Sequence, residues 1–216
     1  MSICVKICGL RDPASIDAAI TAGADMIGFV FFPRSPRSLT FEEAASLAKT
    51  VPAAVQKVAL VVNADDAFLT AMCAALDPDL IQVHGSETPQ RVADIKALTA
   101  VPVMKAIAVS QPEDVQRAAA YEGIADHILF DAKPPQDDAK ALPGGNGTSF
   151  DWQLMTAWHG RTPWMLSGGL TSANVGAAIA ISGAPGVDTS SGVEDQPGQK
   201  SPAKIAAFVT AARAAA

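Results

Sequence analysis

The sequence predicts an α/β fold, a (β/α)8 TIM barrel running through residues 1–216 as a single domain. Three observations predict it. Short β-branched runs alternate with Ala-rich helical stretches from end to end, as parallel strands joined by crossover helices do. Eight such strands can be counted, and 216 residues divided by eight gives units of about 27 residues. No break in composition divides the chain, and 49% apolar content suffices for one large core. A doubly wound open sheet shares the local alternation, so the count of eight is what favours closure.

The strands are expected over Ile3–Cys8, Met26–Phe31, Gln56–Val62, Leu80–His84, Val103–Val109, His127–Asp131, Trp164–Ser167 and Gly186–Thr189. Helix starts are signalled by Asp12 before Pro13, by Thr40 with Glu43 as a capping box, and by Asp65. Further starts are signalled by Thr88 before Pro89, Ser110, Thr171, and Ser201 before Pro202.

Sixteen basic against 22 acidic side chains give a net charge of −6, and the basic residues form no cluster. Nucleic acid and anionic membrane are therefore poor partners. No apolar run reaches the roughly 18 residues of a spanning helix, and no charged segment leads into a cleavable hydrophobic one. The three cysteines, Cys4, Cys8 and Cys73, lack the paired spacing of a zinc site. The expectation is a cytoplasmic protein with free thiols.

Active-site residues of a barrel lie at the C-terminal strand ends and in the loops beyond. In Ile3–Cys8, period-two alternation turns Cys4, Lys6 and Cys8 inward and Ile3, Val5 and Ile7 toward the helices. Cys8 is either a small buried hydrophobe or, at the upper strand end, a base whose thiolate a cation such as Lys6 would favour. Lys6 could equally contact substrate or a carboxylate. Asp131 ends an apolar strand with inward parity, which makes it a structural hydrogen-bond acceptor or a proton donor. Strand six lies nearly across the mouth from strand one, so Cys8 and Asp131 face one another, an arrangement suited to one base and one acid.

Two Gly-rich turns read as phosphate cradles: Ser167-Gly168-Gly169 after strand seven, and Asp188-Thr189-Ser190-Ser191-Gly192 after strand eight. Such turns are weak signals alone, but both fall where barrels usually hold phosphate. The loop Phe32-Pro33-Arg34-Ser35-Pro36-Arg37-Ser38 carries two arginines, either carboxylate ligands above the pocket or solvated surface groups. Gln82 and His84 share inward parity, and His84 is read as a pocket-lining residue with no proton transfer assigned. The stretch from Lys133 to Phe150 is too long for an ordinary βα connection and is either a lid or a surface insertion.

Together these residues resemble the phosphoribosylanthranilate isomerase family. The resemblance runs through Val5-Lys6-Ile7-Cys8-Gly9, Gly28-Phe29-Val30-Phe31 with Ser35-Pro36-Arg37, and Gln82-Val83-His84-Gly85. It continues through Leu129-Phe130-Asp131, Gly144-Gly145 with Gly147 to Phe150-Asp151-Trp152, and Ser167-Gly168-Gly169-Leu170. It ends with Asp188-Thr189-Ser190-Ser191-Gly192-Val193-Glu194. The resemblance implies Cys8 as general base, Asp131 as general acid, and Arg37 on an anthranilate carboxylate. It also implies the phosphate on Gly169 and the Ser190–Ser191 turn, with Asp188 on the sugar. Lys6, Gln82, His84 and Gly168 complete the expected substrate-binding set. Asn146 stands where the family pattern leads one to expect Thr or Ser. The implied reaction is a cofactor-free Amadori rearrangement on a small phosphorylated substrate, by a monomer or weak homodimer. Competing readings are a histidine-pathway aminoaldose isomerase, which generally has aspartate in place of Cys8, and a pentulose-phosphate epimerase, whose metal ligands cannot be placed. A third is a non-catalytic phosphate-binding barrel, which gives no reason for an opposed thiol and carboxyl.

Overall fold

A computed structural model describes residues 3–134 and 142–215. Eight parallel strands close into a barrel in chain order: β1 (Cys4–Cys8), β2 (Met26–Phe31), β3 (Gln56–Val61), β4 (Leu80–Val83), β5 (Val103–Val109), β6 (His127–Ala132), β7 (Trp164–Leu166) and β8 (Gly186–Thr189). The closing seam pairs β1 with β8 and sets Lys6 directly opposite Asp188. Among the described residues seven α-helices surround the barrel: α1 (Pro13–Ala22), α2 (Phe41–Ala48), α3 (Asp66–Leu76), α4 (Pro89–Thr99), α5 (Pro112–Gln116), α6 (Val175–Ser182) and α7 (Pro202–Ala214). Between β6 and β7 the described residues hold a 3₁₀ helix, Trp152–Ala157, in place of an α-helix. A short hairpin, β9 (Glu194–Gln196) with β10 (Gln199–Lys200), follows β8.

Strand parity divides the core in two. Met26, Val58, Leu80, Met104, Ala106, Leu129 and Met165 fill the barrel interior with Cys4 against them. Residues of opposite parity, such as Ile3, Val5, Ile7, Ile27 and Phe29, pack against the helices. Each such buried side chain contributes roughly 1.5–3 kcal/mol. The apolar plug occupies the lower barrel, and Cys8, Gln82, His84, Asp131 and Asp188 lie above it.

Most helix starts follow from their caps. Asp12, Asp65 and Thr88 each accept the N–H three residues on, and Thr40 with Glu43 forms the reciprocal capping box. Two expected starts move. Ser110 precedes the helix without capping it: its N–H and hydroxyl both donate to Asp114 Oδ2, and α5 begins at Pro112. Thr171 also falls short of its helix, because Asn174 accepts the Thr171 N–H at 2.7 Å and donates to the Gly169 carbonyl at 3.0 Å. That Asn bracket holds the turn after β7, and α6 starts only at Val175.

At the lower rim an aspartate precedes each of β2, β4 and β6. Asp25, Asp79 and Asp126 accept the N–H of Val5, Lys57 and Val103, the strand before, at 2.7–2.8 Å. Each also donates its own N–H to that same residue's carbonyl. Val103 is wholly buried, so removing its acceptor leaves an unpaired amide. Asp126→Ala is expected to cost about 1–3 kcal/mol, read as a lower urea midpoint, while kcat/KM changes less than the stability; an unchanged midpoint would dismiss the clamp.

Candidate active site

The upper barrel end opens on a cavity lined by Cys8, Arg37, Gln82, His84, Asp131, Asp188 and the two Gly-rich turns. Gly168, Gly169, Ser190 and Ser191 all border it. Of the expected site residues only Lys6 lies off this surface: it is wholly buried below, with Nζ 3.0 Å from Asp188 Oδ1. Between the alternatives open for Lys6, the structure puts its ammonium on a carboxylate.

Burial pushes the Cys8 pKa up, and Lys6, the chief opposing influence, does not outweigh it. Both members of the Lys6–Asp188 pair act on the Cys8 thiol, Lys6 lowering its pKa and Asp188 raising it. Lys6 favours the thiolate, as a nearby cation should, but burial is the larger influence. Gly28, the inward neighbour on β2, makes room for the sulfur, since a Cβ there would stand 2.8 Å from Sγ.

Across the mouth, Asp131 Oδ1 accepts the Ala132 N–H at 2.9 Å, and Oδ2 lies 3.2 Å from His84 Nε2. The other His84 nitrogen, Nδ1, is 2.8 Å from Gln82 Nε2. Gln82 of β4 and His84, the residue just beyond that strand, thus form a chain ending on the carboxyl. Gln82 Oε1 is buried without a hydrogen-bond partner among the described residues.

The segment from Leu142 to Thr148 lies over this cavity and lines it. Gly144 approaches so closely that an added Cβ would stand 2.6 Å from Asp131 Oδ2 and 2.7 Å from His84 Nε2. Gly145, at φ +76°, would set a Cβ 2.6 Å from Arg37 Nη1. Asn146 ties the segment into a turn, accepting the Leu142 N–H at 3.1 Å and donating to the Leu142 carbonyl at 2.7 Å. The remainder of the expected lid, residues 135–141, lies outside the described residues.

The phosphate-type turns are firmly anchored. Ser190 Oγ donates to the Cys8 carbonyl at 3.0 Å, and Thr189 Oγ1 to the Leu170 carbonyl at 2.8 Å. After Ser190 comes a 3₁₀ turn, Ser191–Val193. Arg37 is 5% exposed, with Nε and Nη2 each 2.8 Å from an oxygen of Glu194. Lys200 Nζ meets Glu194 Oε1 at 2.8 Å, the Ser190 carbonyl at 2.8 Å and Ser190 Oγ at 3.1 Å. Burial pushes the Glu194 carboxyl up, but its two cations outweigh this and hold it below the usual carboxylate range. Burial, reinforced by nearby Arg37, pulls the Lys200 ammonium down despite Glu194.

Sequence reasoning assigned no role to Glu194 or Lys200, and the spacing of 157 positions between Arg37 and Glu194 offers no local signal. It also missed the buried pair Lys105–Glu87, at 2.8 Å, which braces the turn after His84 through the Gly85 carbonyl and N–H. Among the described residues no three His, Cys, Asp or Glu side chains group as metal ligands.

The geometry agrees with comparisons to known proteins. The N-(5'-phosphoribosyl)anthranilate (PRA) isomerase family model matches residues 5–211. A relative from Parvibaculum lavamentivorans, an N-(5'-phosphoribosyl)anthranilate isomerase, is 57% identical over 215 residues, covering all of both chains. Another from Paracoccus denitrificans is 52% identical, covering 99% of each. The crystal structure of phosphoribosyl anthranilate isomerase from Thermotoga maritima aligns with a TM-score of 0.86 at 31% identity, covering 98% of this chain and 99% of that one. A solved phosphoribosyl anthranilate isomerase in complex with reduced 1-(o-carboxyphenylamino)-1-deoxyribulose 5-phosphate aligns at 0.83 and 30% identity, with the same coverage. With full-length identity above one half to named relatives and a family match over residues 5–211, this chain belongs to the N-(5'-phosphoribosyl)anthranilate isomerase family.

Proposed function

We propose that the chain is a tryptophan-biosynthesis isomerase that converts N-(5'-phosphoribosyl)anthranilate to 1-(2-carboxyphenylamino)-1-deoxyribulose 5-phosphate, with Cys8 as general base and Asp131 as general acid. The observation that carries this reading is one cavity bordered by both groups and by both anion-binding turns. Asp131 protonates the furanose ring oxygen as its bond to C1 breaks, and the anthranilate nitrogen lone pair forms the C1=N Schiff base. Cys8 as thiolate takes the C2 proton, and the C–H electrons form C1=C2 while the C=N pair returns to nitrogen. The enol amine tautomerises to the ketone. The substrate nitrogen supplies the electron push, so the reading needs no cofactor.

In this reading Arg37 holds the anthranilate carboxylate through the face of its guanidinium not taken by Glu194, and Gly169, Ser190 and Ser191 hold the phosphate. Asp188, His84 and Gln82 touch the sugar, with Gly168 permitting close approach of the backbone. Lys6 enters as the counter-charge beneath Asp188 and Cys8. Residues 1–216 act as one catalytic domain, working in the cytoplasm as a monomer or weak homodimer. No described helix is long and apolar enough to cross a membrane.

Anthranilate-type fluorescence of freshly generated substrate should change on mixing with the protein, and a steady signal with folded protein removes the proposal. Cys8→Ala and Asp131→Asn should each lower kcat by about 10²–10⁴-fold, the range of general acid–base catalysis, while the reduced product analogue still binds. Near-native turnover in either variant strips that residue of its role. Because the reactive form of Cys8 is the thiolate and burial raises its pKa, kcat/KM should still be climbing at and above pH 8.5, the ordinary thiol pKa of about 8.5. A profile already flat below that pH argues against Cys8 as base. Gly144→Ala should displace the covering segment and lower kcat/KM by about tenfold or more with little change in unfolding midpoint; unaltered kinetics would free that segment from the chemistry.

A further inference from the structure

Arg37, the proposed carboxylate ligand, and Ser190, in the proposed phosphate turn, lie at opposite ends of one substrate but are linked by side chains with no assigned role. The chain runs from the Arg37 guanidinium to both oxygens of Glu194, from Glu194 Oε1 to the Lys200 ammonium, and from that ammonium to the Ser190 carbonyl and hydroxyl. Every link is 3.1 Å or shorter. The ammonium has three acceptors and so no spare donor for a ligand. Glu194, Lys200 and Arg37 are all largely buried, with side-chain exposures of 5%, 1% and 6%. Glu194 and Lys200 sit on the hairpin β9–β10, which lies behind the main cavity wall and contributes no residue to it.

A carboxylate beside a cation that must receive an anion works against that binding by charge alone. Its retention there, in bidentate contact with one edge of the guanidinium, makes sense if orientation outweighs the electrostatic loss: Glu194 takes Nε and Nη2, which leaves Nη1 as the nitrogen it does not engage. We propose that Glu194 and Lys200 are positioning residues that set the spacing between the carboxylate-binding guanidinium and the phosphate-binding turn, so that the site selects molecules bearing two anionic groups at one separation. This deepens the proposed function and rests on its assignments for Arg37 and Ser190.

The test compares wild type, Glu194→Gln and the double variant Glu194→Gln/Lys200→Gln. The probes are the reduced product analogue by equilibrium titration, inorganic phosphate as inhibitor, and N-(5'-phosphoribosyl)anthranilate in steady state. For Glu194→Gln the analogue Kd and the substrate KM are expected to rise about tenfold, with kcat changed less than about threefold. The phosphate inhibition constant should rise as well, because Lys200 loses the partner that holds it over Ser190. A role in balancing charge alone predicts the opposite sign, since deleting a negative charge tightens an anionic ligand; an unchanged or lower Kd therefore overturns the proposal. Weaker analogue binding with unchanged phosphate inhibition also overturns it, by confining the effect to Arg37. Should the single variant fail to fold, the double variant, free of both buried charges, bears the same expectation, and wild-type affinities there refute it. Wild-type turnover with unperturbed variants sinks this inference alone, whereas a wild type that neither turns over nor binds the analogue sinks the functional reading with it.

Discussion

Lys6 and Asp188 face each other across the seam where the last strand of the barrel pairs with the first, in a 3.0 Å ion pair whose lysine is wholly buried and whose aspartate borders the cavity. A buried pair of this kind adds little net stability over an apolar pair, but losing one partner strands the other at a cost of about 3–5 kcal/mol. The register of the closing strands is therefore tied to the chemistry above them. Asp188 also comes within 3.4 Å of the Ser167 hydroxyl, so the pair reaches toward the turn after β7. Burial raises the Cys8 pKa, and the Asp188 charge adds to it against the opposing pull of Lys6.

The fold was legible because both of its periods are short-range. Inward and outward residues alternate along each strand, with Val5 and Ile7 facing the helices and Cys4, Met26, Leu80 and Leu129 facing the barrel interior. The upper-end polar residues were legible for the same reason, as Cys8, His84 and Asp131 extend the parity of Cys4, Leu80 and Leu129. Helix starts were read well where a cap bonds three residues onward, as at Asp12 and Thr40, and less well at Ser110 and Thr171, whose amides are taken by Asp114 and Asn174.

What escaped the sequence depends on distant residues or on space. The Glu194 and Lys200 contacts arise because a hairpin after β8 folds back beside the loop after β2, which no local pattern announces. Gly144 reads as one glycine among several until the coordinates put it against Asp131 and His84. Asn146 looked like a departure from a family pattern, and the structure gives it a local task, closing the turn that begins at Leu142. The state of Cys8 was unreadable because it is a balance between burial and a cation already engaged elsewhere.

The aspartate clamps at the lower rim join strands in couples, β1 with β2, β3 with β4 and β5 with β6. Between couples the rim bonds run through backbone carbonyls instead, as from Ile81 to Pro102 and from Ile128 to Pro163. A backbone cleavage between α2 and β3, or between α4 and β5, would leave every clamp with both of its halves on one fragment. A cleavage within a couple would separate an acceptor from its amide. The first six strands are thus stitched as three two-strand modules, and their natural breakpoints for fragment reassembly or shuffling fall after β2 and after β4.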